Sequence, residues 1–202
     1  MFSLNGLALN PDKSDAVLLD TWQRQQNLPL LQSVDIAGCV VPLSSQVKIL
    51  GVMLDSHLTF DKHVVDICKA CSFHMRALRH IRPCLTDDMA MTIASTLVDS
   101  RLDYANGVLV GVSEKNITKL EHTQNTLARI VTRKYERRSV MQFLKYLHWL
   151  PIKWWIDYKI VMLCISSSPQ NNRSISVSGL SAIALCGGVL FGMLMLLTTL
   201  FG

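Results

Sequence analysis

The sequence predicts an α+β protein in which a small β-rich N-terminal part precedes a helical bundle and a C-terminal hydrophobic helix. Three observations predict this. Residues 1–58 combine short apolar runs with turn residues, residues 59–166 carry apolar side chains at helical spacing, and residues 176–202 are uncharged and mostly apolar. A polar segment, residues 167–175, separates the bundle from the tail. We therefore divide the chain into these four parts.

The β-rich part contains three strand signals. Residues 34–41 predict a hairpin that turns at Gly38, and residues 47–54 predict a second strand pair or a bulged strand at Gly51. Residues 15–19 are short and apolar, which predicts a buried strand.

Five helices are predicted in the second part, each from a residue type that favours a helix start. These residues are Thr59, Thr86, Ser113 and Ser139 as N-caps and Pro151 in the first turn. The face of the second helix should carry Ala90, Ile93, Ala94, Leu97 and Val98, and that of the third Ile117, Leu120, Gln124, Leu127, Ala128 and Val131. Asp87 and Asp88 follow Thr86, where carboxylates offset the helix dipole, so we interpret them as part of a helix start and not as metal ligands.

The charge of the chain is unevenly distributed. Its net charge is +5, yet residues 1–60 hold more acidic than basic side chains. Residues 115–159 hold ten lysines and arginines against three acids. A helical segment with this excess favours a polyanionic partner.

A cluster of cations lies at the centre of this basic segment. It comprises Arg129, Arg133, Lys134, Arg137 and Arg138. Arg129 and Arg133 are four residues apart, so both should project from one face of the third helix. Contact with nucleic-acid phosphates and a simple solvated helix face both fit this pattern, and we favour the first.

Four aromatic side chains follow the cluster and also admit two interpretations. They are Trp149, Trp154, Trp155 and Tyr158. Aromatic rings can stack on bases, but packing in the core near Pro151 is the expectation for at least two of them.

Six cysteines are scattered along the chain, and residues 1–6 lack the charged and apolar regions of a secretory signal peptide. We therefore expect free thiols in a reducing compartment. Cys68 and Cys71 form a Cys-x-x-Cys pattern, which can bind zinc, but both lie on the apolar stripe of a predicted helix. Buried core thiols are the favoured interpretation, and no metal site is predicted.

Short segments with distinctive residues occur in order along residues 5–163. They are residues 5–14 (NGLALNPDKS), 47–55 (VKILGVMLD), 58–63 (LTFDKH), 100–104 (SRLDY), the QN and AR pairs within 124–129, and 147–151 (LHWLP). Together they resemble the C-terminal part of the reverse transcriptases encoded by non-LTR retrotransposons of the jockey-like and related LINE clades. Two positions depart from that family: Trp155, where a basic residue is expected, and Ala105, where cysteine is usual.

The resemblance implies the end of a polymerase palm followed by a thumb. Lys13 matches the motif-D lysine, and Leu50 and Gly51 match the primer grip. In the family, aspartates that hold Mg²⁺ precede the segment that resembles residues 5–14, so we expect this chain to be catalytically inactive and to need no cofactor. Weak, non-specific binding of nucleic acid is the expected residual activity.

The apolar tail predicts a membrane span. Val177–Phe201 is long enough to cross a bilayer core, which takes about 20 residues. Lys159 and Arg173 precede it and no charge follows, as in a single-pass protein with a cytosolic N-terminal part. Without insertion, the chain would lie in the cytoplasm or nucleus.

Three function hypotheses arise from the sequence. The chain is a truncated, inactive reverse-transcriptase fragment, a tail-anchored membrane protein of unknown role, or the C-terminal fragment of an active reverse transcriptase. The sequence predicts no oligomeric state.

Overall fold

The computed structural model describes residues 10, 14–19, 32–36, 38–134 and 140–167. Within them the protein has two small antiparallel sheets and is otherwise mostly helical, as predicted for an α+β chain. The chain divides into two units, Met1–His63 and Val64–Gly202, with the division inside the first long helix. Several predictions lie outside the described residues: Lys13, Arg137, Arg138, the Ser139 cap, residues 168–175 of the linker and the tail 176–202. The first linker residue, Ser167, instead ends the last helix.

The elements follow in simple order along the chain. The strands are β1 (Ser33–Ile36), β2 (Cys39–Pro42), β3 (Gln46–Ile49) and β4 (Val52–Asp55). The helices are α1 (Asp61–Ile81), α2 (Asp87–Ala94), α3 (Ser100–Asp103), α4 (Glu114–Thr132), α5 (Val140–Leu147) and α6 (Ile152–Ser167). Two 3₁₀ turns (Arg82–Cys84 and Asn106–Leu109) and one π-helical turn (Ser95–Asp99) lie between them.

Both predicted hairpins are present in the first unit. β1 pairs with β2 across a tight turn, where Gly38 has a φ of +82° and its N–H donates to Asp35 Oδ1 at 2.9 Å. β3 pairs with β4 across Leu50 and Gly51, whose φ angles are +47° and +84°. Two successive positive φ angles define the turn type that matches the twist of a two-residue hairpin, and glycine adopts one without strain.

The strand predicted at residues 15–19 is wrong. Only Ala16 forms a bridge, to Leu43, and its carbonyl accepts from Ser44 N–H at 2.8 Å. Leu18 and Leu19 are exposed, so the apolar run does not build a buried strand.

The start of α1 depends on Asp55 more than on the predicted Thr59 cap. Asp55 accepts hydrogen bonds from both the N–H and the hydroxyl of Thr59 and from the N–H of Phe60, at 2.8–3.0 Å. Burial raises the pKa of Asp55, but these hydrogen bonds outweigh it and hold the pKa below its usual value. The last residue of β4 therefore fixes the turn that leads into the helix.

The second predicted helix is interrupted, which corrects its predicted apolar face. Thr86 caps α2 as expected, through a 3.3 Å bond from Met89 N–H. The π-helical turn then widens one turn of the helix and rotates the residues after it. Ala90, Ala94 and Val98 are buried, but Leu97 is 41% exposed.

The core of the second unit is built around α4. All six residues predicted to face inward from it are buried: Ile117, Leu120, Gln124, Leu127, Ala128 and Val131. Phe143, Leu144 and Leu147 of α5 and Ile152, Ile156 and Val161 of α6 are also buried. Among the described residues no helix has both the length and the apolar character needed to cross a membrane.

Candidate functional site

An open groove lies between α1 and α4 in the second unit. The two helices meet where the Thr123 hydroxyl donates to Cys68 Sγ at 3.4 Å, and where the Cys68 thiol donates to the Lys119 carbonyl at 3.8 Å. The groove has a volume of about 600 Å³. Its lining consists of Val65, Cys68, Lys69, Ser72, Arg76, Thr118, Lys119, His122 and Thr123.

The lining of this groove is basic. It includes Lys69, Arg76 and Lys119, together with His122, and none of the nine lining residues is acidic. Lys69 and Arg76 are exposed, and Lys119 is partly buried with its ammonium 3.0 Å from Asn116 Oδ1. Its charge therefore favours anions, and its open shape admits a chain as well as a single ion.

Two basic stripes extend the groove along both helices. On α4 the stripe runs through Lys115, Lys119, His122, Thr126 and Arg129, and on α1 it runs through Lys69, Ser72, Arg76 and Arg79. Successive members are separated by three or four residues, so each set lies on one helix face. The α1 members from Lys69 to Arg76 span about 10 Å along the axis at about 1.5 Å per residue.

The structure separates the members of the predicted cation cluster. Arg129 is partly buried on the α4 stripe, and Arg137 and Arg138 lie outside the described residues. Lys134 lies over the ring of Tyr146, with Nζ 6.0 Å from the ring centre. The cluster is thus not one helix face.

Arg133 has a local role in the end of α4. The helix ends at Thr132, and Arg133 has a φ of +54°, so its side chain does not continue the row of Arg129. Its guanidinium donates to the carbonyls of Arg82 at 2.5 Å and Leu85 at 3.3 Å. These bonds hold the helix end against the turn that precedes α2.

Sequence reasoning missed Lys69, Arg76 and Lys119 as a joint site. A signal was present, because basic residues recur at helical spacing on both helices. What the sequence does not show is that α1 and α4 are neighbours with their basic stripes on either side of one groove.

The other predicted site residues do not line this groove. Leu50 and Gly51, matched to the primer grip, form the β3–β4 turn in the first unit, and Leu50 is 85% exposed. Cys71 is fully buried, and burial raises the pKa of its thiol to about 12. Without a bound metal, this thiol therefore stays protonated at neutral pH. Among the described residues no group of three or more ligand side chains is placed to hold a metal ion.

The comparisons with known proteins identify no relative. No protein-family model, no curated protein and no solved structure matches the chain. The basic groove is therefore the feature on which a functional proposal rests.

Proposed function

We propose that the helical unit binds the sugar–phosphate backbone of nucleic acid in the α1–α4 groove, weakly and without sequence preference. We further propose that the chain derives from the palm end and thumb of a non-LTR retrotransposon reverse transcriptase and is catalytically inactive. The observation that carries the binding proposal is the groove itself, whose lining contains three cations and no carboxylate. The proposed origin is supported by the sequence segments that resemble that family.

The groove offers the contacts that phosphates use. Lys69, Arg76 and Lys119 provide positive charge from both walls, and the hydroxyl of Ser72 is a further donor. Contacts of this kind neutralise phosphates and release counterions, so they supply affinity that depends on salt. They do not read base edges, which is why no sequence preference is expected.

The lining of this groove contains no carboxylate that could hold the metal ions of a polymerase reaction. Two-metal nucleotidyl transfer requires carboxylates to hold both ions. The 202 residues contain no Tyr-Ala-Asp-Asp sequence, the motif that carries those aspartates in the family. The alternative, a C-terminal fragment of an active reverse transcriptase, would need the carboxylates from a further stretch of chain.

Neutralising the groove should flatten the salt dependence of binding. We expect a variant with Lys69, Arg76 and Lys119 all changed to glutamine to bind a single-stranded oligonucleotide less tightly than the parent chain. The slope of log affinity against log salt concentration should become shallower by about 2, since each phosphate contact contributes about 0.7 for single strands. Fluorescence anisotropy at several salt concentrations measures this slope, and glutamine keeps an N–H donor for Asn116.

A matched variant controls for net charge. Changing Lys48, Lys145 and Lys153 to glutamine removes the same charge from outside the groove lining. Its slope should stay within about 0.5 of the parent value, because these three side chains do not line the groove and should make no phosphate contact there. Equal slopes for the two variants would contradict the groove as the binding surface.

A further inference from the structure

A second cavity in the helical unit lies apart from the basic groove. It has a volume of about 330 Å³, within the range of small-ligand sites, and no residue of the groove lining borders it. Its lining consists of Ser95, Asp99, His148, Trp149, Leu150, Trp155 and Tyr158. Four of these seven side chains are aromatic rings, and one is a carboxyl group.

The wall formed by the α5–α6 loop is held in place by hydrogen bonds. The Trp149 N–H donates to the Leu144 carbonyl at 2.9 Å, and the buried Gln124 amide donates to the Leu150 carbonyl at 2.8 Å. Pro151 follows and is buried. The rings of this loop are therefore attached to a fixed backbone, which reduces the ordering entropy that a ligand must overcome.

The Asp99 carboxyl group in this cavity accepts few hydrogen bonds from the described residues. Asp99 closes the π-helical turn, and its Oδ2 accepts a single hydrogen bond within the described part of the chain, from the Ser95 hydroxyl at 3.4 Å. Its Oδ1 is shielded from solvent and has no hydrogen-bond partner among the described residues. π-helical turns are often found at functional sites, where they present a side chain that a regular helix would turn away.

Within the described part of the chain, the Asp99 carboxyl forms no ion pair. Lys159 binds both oxygens of Asp103, at 2.8 and 2.9 Å, so its charge is engaged there. The described residues include no lysine, arginine or histidine that forms an ion pair with Asp99. A shielded carboxylate without a donor or a counter-ion is unfavourable, and a bound cation with N–H groups would supply both.

We propose that this cavity binds the guanidinium group of an organic cation, with Asp99 as its hydrogen-bonding counter-ion and the rings of Trp149, Trp155 and Tyr158 around its faces. A guanidinium is planar and weakly hydrated, so it stacks on aromatic rings and donates two parallel N–H bonds to a carboxylate. A quaternary ammonium can make the cation–π contacts but has no N–H to donate to the Asp99 carboxylate. A neutral planar amide can donate but brings no charge.

The test uses the full chain and two ligands of nearly the same shape. Butylguanidinium should bind saturably and change the tryptophan fluorescence, whereas the uncharged butylurea should bind about tenfold more weakly or not at all. Equal affinities for the two ligands would overturn the proposal, and so would the absence of saturable binding up to about 10 mM, a dissociation constant that corresponds to negligible recognition.

Substitutions at Asp99 and Trp155 test whether these residues bind the ligand. Asp99→Asn should weaken butylguanidinium binding about tenfold, since a charge-assisted bond becomes a neutral one. Trp155→Leu should weaken it as well, and Trp155→Phe should restore most of the affinity because a ring face returns. Unchanged affinity in Asp99→Asn, with the thermal transition intact, would overturn the proposal.

Two sources could supply the guanidinium group, and a second arm distinguishes them. A capped Gly-Arg-Gly peptide presents it as a side chain, whereas butylguanidinium represents a free small molecule. Binding of the peptide at least as tightly as butylguanidinium would identify an arginine side chain as the ligand. Binding of butylguanidinium alone would identify a small guanidino compound, and both outcomes support the cavity as a guanidinium site.

Discussion

Replacing Arg82 with alanine will lower the free energy of unfolding of the helical unit by about 3 kcal/mol. Arg82 is 4% exposed, and its guanidinium donates to the carbonyl of Val131 from Nε at 3.0 Å and from Nη2 at 2.6 Å. It also binds the Leu85 carbonyl and the carboxylate of Asp87. The last carbonyls of a helix lack partners inside the helix, so Arg82 acts as a cap for α4 from another part of the chain.

Chemical denaturation measures this loss of unfolding free energy. Two further variants test whether it comes from the guanidinium of Arg82. Arg82→Lys should lose most of the same stability, because an ammonium cannot reproduce the planar fork. Arg79→Ala removes an exposed arginine three residues away and should change stability by less than about 0.5 kcal/mol. If Arg82→Ala were no more harmful than Arg79→Ala, the capping role would be excluded.

Asp99 should make the helical unit less stable as the pH rises from about 4 to 8. The pKa of Asp99 is raised from its usual 3.8 to about 7, mainly by burial; the hydrogen bond from Ser95 lowers it and the charge of Asp103 raises it. Below pH 3.8 both the folded and the unfolded chain hold the proton. Between the two pKa values the unfolded chain releases it first, so stability falls with pH and levels off above about 7.

Changing Asp99 to asparagine should remove this loss. The difference between the two pKa values corresponds to at most about 4 kcal/mol, and partial exposure of the residue reduces the expectation to about 2–3 kcal/mol. We therefore expect the variant to gain that much relative to the parent chain between pH 4 and pH 8. Chemical denaturation of both chains at both pH values measures this gain. A pH-independent difference would contradict the raised pKa.

The features that were correctly predicted from the sequence are those that depend on residues close together in the chain. The turns at Gly38 and Gly51, the Thr86 cap and the inward face of α4 are all present. Each rests on a local rule: glycine at a positive φ, a hydroxyl before a helix, or apolar residues at a spacing of three to four. Such rules need no knowledge of which elements become neighbours.

Tertiary contacts account for what the sequence did not predict. The π-helical turn at residues 95–99 changes the helical register, and no local rule marks it, so Leu97 was assigned to the core in error. The capping role of Arg82 was not predicted, because its partner, the Val131 carbonyl, is distant in sequence. The groove was missed for the same reason, since its two basic stripes come from helices far apart in the chain.

The most direct test of the nucleic-acid proposal is a lysine footprint on the full chain. Acetylation with and without a saturating single-stranded oligonucleotide, followed by mass spectrometry, gives a protection value for each lysine. Lys69 and Lys119 should be protected about threefold or more at low salt and lose that protection at about 1 M salt, while Lys48 and Lys153 should react equally in both samples. Protection confined to Lys134, or equal at all lysines, would contradict the α1–α4 groove as the binding surface.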